Sequence, residues 1–118
     1  MQRKKSQPER PRSTETVVLQ QISEVIHNPD RERFELYVAG DLVGVLSYRI
    51  ENVAGGQRVA IVLHTILYDE YTGHGLGTRL TGGAMAYMRE QRLRVRPVCS
   101  FTQRFLRAHP GMVVLAPD

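Results

Sequence analysis

The period of hydrophobic and polar positions changes once along this chain. From Arg33 to Val38 it is two: Phe34, Leu36 and Val38 point one way, and Arg33, Glu35 and Tyr37 the other. That is the pattern of a half-buried strand. Ala39-Gly40-Asp41 reads as a tight turn and Leu42–Glu51 as the next strand. After a turn over Asn52–Gln57, Arg58–Leu67 places Val59, Ile61, Leu63 and Thr65 on one face and Ala60, Val62, His64 and Ile66 on the other. A strand this apolar on both faces is expected to be central and covered on both sides. Three strands with short turns make an antiparallel meander. Upstream, Val17–Ile26 has apolar spacings that fit strand and helix equally, and Asn28-Pro29-Asp30 is a turn.

Past Leu67 the period becomes helical. Leu76, Leu80, Ala84, Tyr87 and Met88 predict a helix from about Gly75 to about Gln91. Gly82-Gly83 in its middle costs roughly 1 kcal/mol per glycine relative to alanine, so close packing on the sheet is expected there. Leu93–Val98 is a short strand that Pro97 places near an edge or a splay. Ser100–Ala108 is a short helix stopped by Pro110-Gly111, and Met112–Leu115 is a last edge strand. Meander, helix, strand, helix, strand is the order of an α+β domain.

Charge divides the chain again. Residues 1–13 hold Arg3, Lys4, Lys5, Arg10 and Arg12 against Glu9, which accounts for the whole net charge of +4. With Pro8 and Pro11 and almost no apolar residue, residues 1–15 are expected to be a disordered basic tail, and 16–118 a single domain. The tail has no interleaved aromatic, which argues against nucleic acid as a partner, and no apolar stretch of the kind a secretory signal carries. No run reaches the roughly 18 apolar residues of a membrane span. The lone Cys99 forms no internal disulfide and fits a reducing, cytoplasmic setting. A second asymmetry lies in residues 89–107, with Arg89, Arg92, Arg94, Arg96, Arg104 and Arg107 against Glu90 alone. Such a cluster can help to hold a polyphosphate.

The candidate chemistry sits where the period changes. Gly73, Gly75 and Gly77 alternate with His74 and Leu76 just before the predicted helix. Glycines there permit positive φ and close approach of a ligand to the backbone. The helix start adds free N–H groups and the positive end of its dipole, a site for phosphate or pyrophosphate. Two nucleotide motifs fail. In G-x-G-x-x-G the last position is occupied by Thr78, and a P-loop lysine is absent after Gly77.

The strand, the Glu70-Tyr71-Thr72-Gly73-His74-Gly75-Leu76-Gly77 loop and the helix resemble the acetyl-CoA signature of the GNAT superfamily of N-acetyltransferases. More narrowly, the chain resembles its small single-domain branch, the N-acetyltransferase domain-containing proteins. The pair His64-Thr65, the segment Pro97-Val98-Cys99-Ser100-Phe101 and the pair His109-Pro110 carry that narrower likeness, which covers about residues 33–115. The resemblance implies a mixed, mostly antiparallel sheet with two or three helices and acetyl-CoA in a splay between two central strands. It implies that Gly73, His74, Gly75, Leu76, Gly77 and Thr78 cradle the pyrophosphate. The backbone of Thr65, Ile66 and Leu67 would pair with the pantetheine arm, with Tyr71, Ser100 and Phe101 beside it. Thr72 stands where the branch has arginine, and His74 replaces a commonly basic residue, so phosphate-facing charge is reduced.

The resemblance also places His64 and Cys99 near the thioester. An imidazole changes charge in the physiological range, which makes His64 the candidate base. Cys99 is the candidate nucleophile if His64 lowers its pKa; the alternative mechanism is direct attack of the amine on acetyl-CoA, with Cys99 only shaping the tunnel. The implied activity is acetyl transfer from acetyl-CoA to an amine, small molecule or protein lysine, with no metal, in a monomer or weak homodimer. The alternative is a non-catalytic module that binds acetyl-CoA or CoA.

Overall fold

A computed structural model of the chain describes residues 13–117. Among the described residues five strands form one sheet in the order β1-β2-β3-β4-β5. They are β1 (Ser23–Asn28), β2 (Arg33–Val38), β3 (Asp41–Asn52), β4 (Arg58–Leu67) and β5 (Arg94–Pro97). Helix α1 (Thr14–Gln21) precedes β1, α2 (Leu76–Glu90) joins β4 to β5, and α3 (Ser100–Ala108) follows β5. Strands β1 to β4 run antiparallel, and β5 lies parallel to β4.

The meander therefore has four strands rather than three. The ambiguous stretch Val17–Ile26 is divided, its first part completing α1 and its second opening β1. Short side-chain bonds make that division. Ser13 Oγ accepts the Thr16 N–H at the start of α1, and Ser23 Oγ donates to the Gln20 carbonyl at its end. Of the expected tail, residues 1–12 lie outside the described residues, while Ser13, Thr14 and Glu15 belong to the start of α1. The last predicted strand is reduced to one parallel bridge, Val95 with Leu115. The four-residue β5 contains Pro97, which has no N–H, and only Val95 bonds the C-terminal segment at both its N–H and its carbonyl.

One sheet face packs on α2. Phe34, Leu36, Val38, Leu46, Tyr48, Ala60 and Val62 meet Leu76, Leu80, Ala84, Met85 and Met88, with Phe105 of α3 joining them. Each fully buried large side chain contributes roughly 1.5–3 kcal/mol. The glycine pair fits closely, as its cost predicted. A Cβ on Gly83 would lie 3.2 Å from Val25 of β1, and one on Gly82 would lie 3.7 Å from the Phe105 ring.

The feature that positions the site is a bulge in β4. Ser47 pairs with His64, but the next residue, Tyr48, pairs with Val62, so Leu63 is an extra residue. A bulge bends its strand and re-aims the side chains beyond it. Here it exchanges the faces beyond Leu63. Thr65, opposite Leu46, joins the face of Ala60 and Val62, whereas His64, opposite Ser47, joins that of Val59 and Ile61. The face assignment expected from strict alternation is thus inverted after Leu63. Coverage changes at the same point: Val59 and Ile61 are buried, but His64 and Ile66 are exposed. On its other edge β4 pairs with β5 only from Val59 to Val62. The N–H groups of Val98 and Cys99 both bond the Val62 carbonyl, at 2.9 and 3.1 Å. Beyond that junction the two strands part.

Candidate functional site

Beyond Leu67 the chain makes a single 3₁₀ turn, Asp69–Tyr71, which the Thr72 hydroxyl closes by donating to the Asp69 carbonyl at 2.7 Å. Gly73 and Gly75 then take φ of 82° and 77°, a left-handed backbone that glycine adopts without strain. Gly75 is the N-cap of α2 and offers no side chain to cap it. The first N–H groups of α2 are therefore available to a ligand, at the positive end of the helix dipole.

The parted edge of β4, this loop and the start of α3 enclose a cleft of ≈ 430 Å³. Thr65, Leu67, Thr72, Gly73, Gly75, Gly77, Thr78 and Phe101 line it. Gly77 is needed for closeness rather than for φ: a Cβ there would lie 3.1 Å from the Phe101 ring. Seven of these eight are candidates from the sequence. The eighth, Thr72, is marked there only as the place of a lost arginine.

The other candidates fall around the cleft rather than in its wall. The Ile66 side chain points to the opposite sheet face and is 56% exposed, so only its backbone belongs to the parted edge. Leu76 is buried in the core, and Tyr71 packs against it. Ser100, the first residue of α3, is exposed. His74 turns away to α1: its Nδ1 lies 2.7 Å from Thr16 Oγ1, and its carbonyl accepts from Gln20 Nε2 at 2.8 Å. The arginines of residues 89–107 do not act as one cluster. Arg89, Arg92 and Arg94 surround a separate pocket with Gly111–Val114, and Arg96 donates to the Pro117 carbonyl. Arg104 alone shares a pocket with Thr78 and Phe101, its guanidinium 5.7 Å from the Phe101 ring centre. In the sequence it is legible only as one charge among six.

Cys99 and His64 are not brought together. Cys99 is half-buried, with Sγ 3.6 Å from Thr65 Oγ1 on the cleft side of the sheet. His64 precedes Thr65 and occupies the other face. The expected activation of Cys99 by His64 is therefore replaced by another. Burial pushes the Cys99 thiol up. The backbone N–H of Thr102, the hydroxyls of Thr65 and Thr102 and the backbone N–H of Phe101 outweigh it, and the net direction is down. Cys99 is the N-cap of α3, but no N–H there reaches the geometry of a formed cap bond, and the buried Thr102 hydroxyl has no formed hydrogen bond. The α3 donors act as nearby dipoles rather than as closed bonds, and among the described residues Thr65 Oγ1 makes the one formed side-chain contact with Sγ. A lowered thiol pKa favours the nucleophilic form of cysteine.

A family model described as GCN5-related N-acetyl-transferase matches residues 33–114. Protein NATD1 of Bos taurus is 31% identical over 55 residues, which is 47% of this chain and 49% of that protein. The match thus spans about half the length of the curated relative. Among solved structures, the ribosomal-protein-alanine N-acetyltransferase of Brucella melitensis biovar Abortus 2308 is similar with a TM-score of 0.54 at 18% identity, over 73% of this chain and 63% of that one. The aminoglycoside acetyltransferase meta-AAC0020 from an uncultured soil metagenomic sample gives a TM-score of 0.57 at 11% identity, over 96% of this chain and 75% of that one. At such identities the likeness is one of fold, an α+β domain on a mixed, mostly antiparallel sheet.

Proposed function

The chain belongs to the GCN5-related N-acetyltransferase family, and from that premise we propose that it transfers the acetyl group of acetyl-CoA to an amine. One observation carries the reading: the uncapped start of α2 and the unpaired edge of β4 open into the same cleft. The N–H groups of Gly73 to Thr78 would hold the pyrophosphate, with Arg104 supplying the cation that Thr72 does not. The backbone of Thr65, Ile66 and Leu67 would bond the pantetheine arm as an added strand. An arm so placed leads its thioester toward the junction of Val62 and Cys99. The Brucella and metagenomic relatives are described as acting on an alanine of a ribosomal protein and on an aminoglycoside, both amine-bearing acceptors. A small amine or a protein lysine suits this chain on the same chemistry.

In this reading the Cys99 thiolate attacks the acetyl carbonyl carbon, the carbon–sulfur bond to CoA breaks, and CoA leaves as its thiolate. A neutral amine then attacks the acetyl-cysteine, the new carbon–sulfur bond breaks, and Cys99 returns to thiolate. The amine's proton leaves to solvent, because His64 stands on the other sheet face, and the CoA thiolate takes up a proton in turn. A free thiol in this role suits the reducing cytoplasm.

The separation of His64 from Cys99 favours one second reading, a module that holds acetyl-CoA without turnover. One experiment covers both: mix the protein with acetyl-CoA and no amine, then find the acetyl group by peptide mass spectrometry. The account expects it on Cys99, and expects Cys99→Ala to bind CoA but lose transfer. Normal turnover by Cys99→Ala would remove the covalent step and leave direct attack by the amine. Binding without adduct or turnover in the wild type favours the module.

A further inference from the structure

We propose that α1 is a strap that sets the geometry of the glycine loop, with Gln20 and Thr16 as positioning residues for acetyl-CoA binding. The proposal rests on the reading of the cleft as an acetyl-CoA site. Helix α1 has eight residues and none is buried. A helix this short is marginal on its own, and only Leu19 packs against the core. Two of its side chains, Thr16 and Gln20, reach one residue, His74, which stands between the two left-handed glycines.

Peptide geometry makes those contacts consequential. In a planar trans peptide the carbonyl and the N–H point to opposite sides. Gln20 Nε2 holds the His74 carbonyl toward α1 at 2.8 Å. The N–H of that same peptide belongs to Gly75, a residue of the cleft wall, and is thereby turned away from α1. The imidazole is fixed from the same helix. Ser13 Oγ donates to Thr16 Oγ1 at 3.0 Å, and the same hydroxyl shares a hydrogen bond with His74 Nδ1, 2.7 Å away, whose donor the ring tautomer sets. The fit is close, since a Cβ on Gly75 would lie 2.9 Å from Gln20 Nε2. His74 thus serves the site through its carbonyl and its tether to α1, not as a phosphate-facing cation. All of α1 lies upstream of residues 33–114, where the family match falls. Because the strap favours the binding-competent loop, bound acetyl-CoA stabilises α1 in return.

The test uses the full chain with Gln20→Met, which keeps length but loses the donor, and the pair Thr16→Val and Thr16→Ser. Steady-state kinetics should show KM for acetyl-CoA raised on the order of tenfold in Gln20→Met, the effect of one lost hydrogen bond, with kcat changed far less. Thr16→Val should act in the same direction, and Thr16→Ser, which keeps the hydroxyl, should restore the wild-type value. Without ligand, hydrogen exchange at the amides of residues 73–78 should quicken in Gln20→Met and Thr16→Val while the amides of β3 and β4 keep their protection. Unchanged KM with unchanged loop exchange overturns the strap. So does loss of protection throughout the sheet, which would make α1 a general prop. If the wild type neither binds nor uses acetyl-CoA, the proposed function fails, and the exchange measurement still decides the strap.

Discussion

At the scale of single residues, Cys99 meets its partner Thr65 from 34 positions away in sequence. Thr65→Val removes one group that lowers the thiol, so the pH midpoint of Cys99 alkylation by iodoacetamide should move up. An unmoved midpoint would leave the α3 dipoles as the whole cause. Cys99 itself is legible as a candidate, because a cysteine between Pro97 and Ser100 fits the family pattern. Its activation is not legible, because that depends on which face His64 and Thr65 occupy, and one extra residue at Leu63 decides it. A second residue-scale prediction concerns His27. Its ring stacks on Phe34 at 4.2 Å and bonds the Tyr48 hydroxyl at 2.6 Å, and burial holds its pKa below the ordinary 6.5. The unfolded ring therefore takes up its proton first as pH falls below 6.5, and stability is lost from there down to the lower folded pKa. The melting temperature of the wild type should drop from pH 7.5 to 5.5 by more than that of His27→Gln. Equal slopes would assign the loss to other groups.

At the scale of elements, long periodic segments are the legible ones. The bounds of β4 and α3 fall where the pattern predicts, and α2 is one residue shorter at each end. What escapes is what period cannot encode. The bulge is a register event between strands, and α1 is an eight-residue helix with almost no apolar face to bury. The Gly82-Gly83 pair marks close packing as expected, though one glycine meets α3 rather than the sheet. The loop glycines divide by mechanism: Gly73 and Gly75 are there for φ, Gly77 for space. Gly77→Ala in a regular helix should cost no backbone strain and, on propensity alone, favour the helix by roughly 1 kcal/mol. It should nevertheless weaken acetyl-CoA binding several-fold, because the Phe101 ring must move into the cleft. Calorimetric titration beside thermal melting checks this. Unchanged affinity would mean that Phe101 yields without narrowing the site.

At the scale of the whole molecule, the domain is a four-stranded meander extended by one parallel strand, and its site lies where antiparallel and parallel pairing meet. Strand β4 is shared by both arrangements but pairs with β5 over only four residues, so half of its edge remains open. Composition indicates one ordinary globular domain, and the order of periods indicates α+β. The place of the parting is legible only through the resemblance, since it arises from the bulge together with Pro97. The central claim is that this parted edge and the glycine loop form one acetyl-CoA site. The most direct test is thermal melting with acetyl-CoA and with CoA, on the wild type and on Gly75→Val, whose β-branched side chain would face both a φ of 77° and Gln20. At about 100 times its dissociation constant, a ligand stabilises by about 2.7 kcal/mol, a rise on the order of 10 °C for a domain of this size. The account predicts that rise in the wild type and its loss in the variant. No shift with either ligand in the wild type would contradict it.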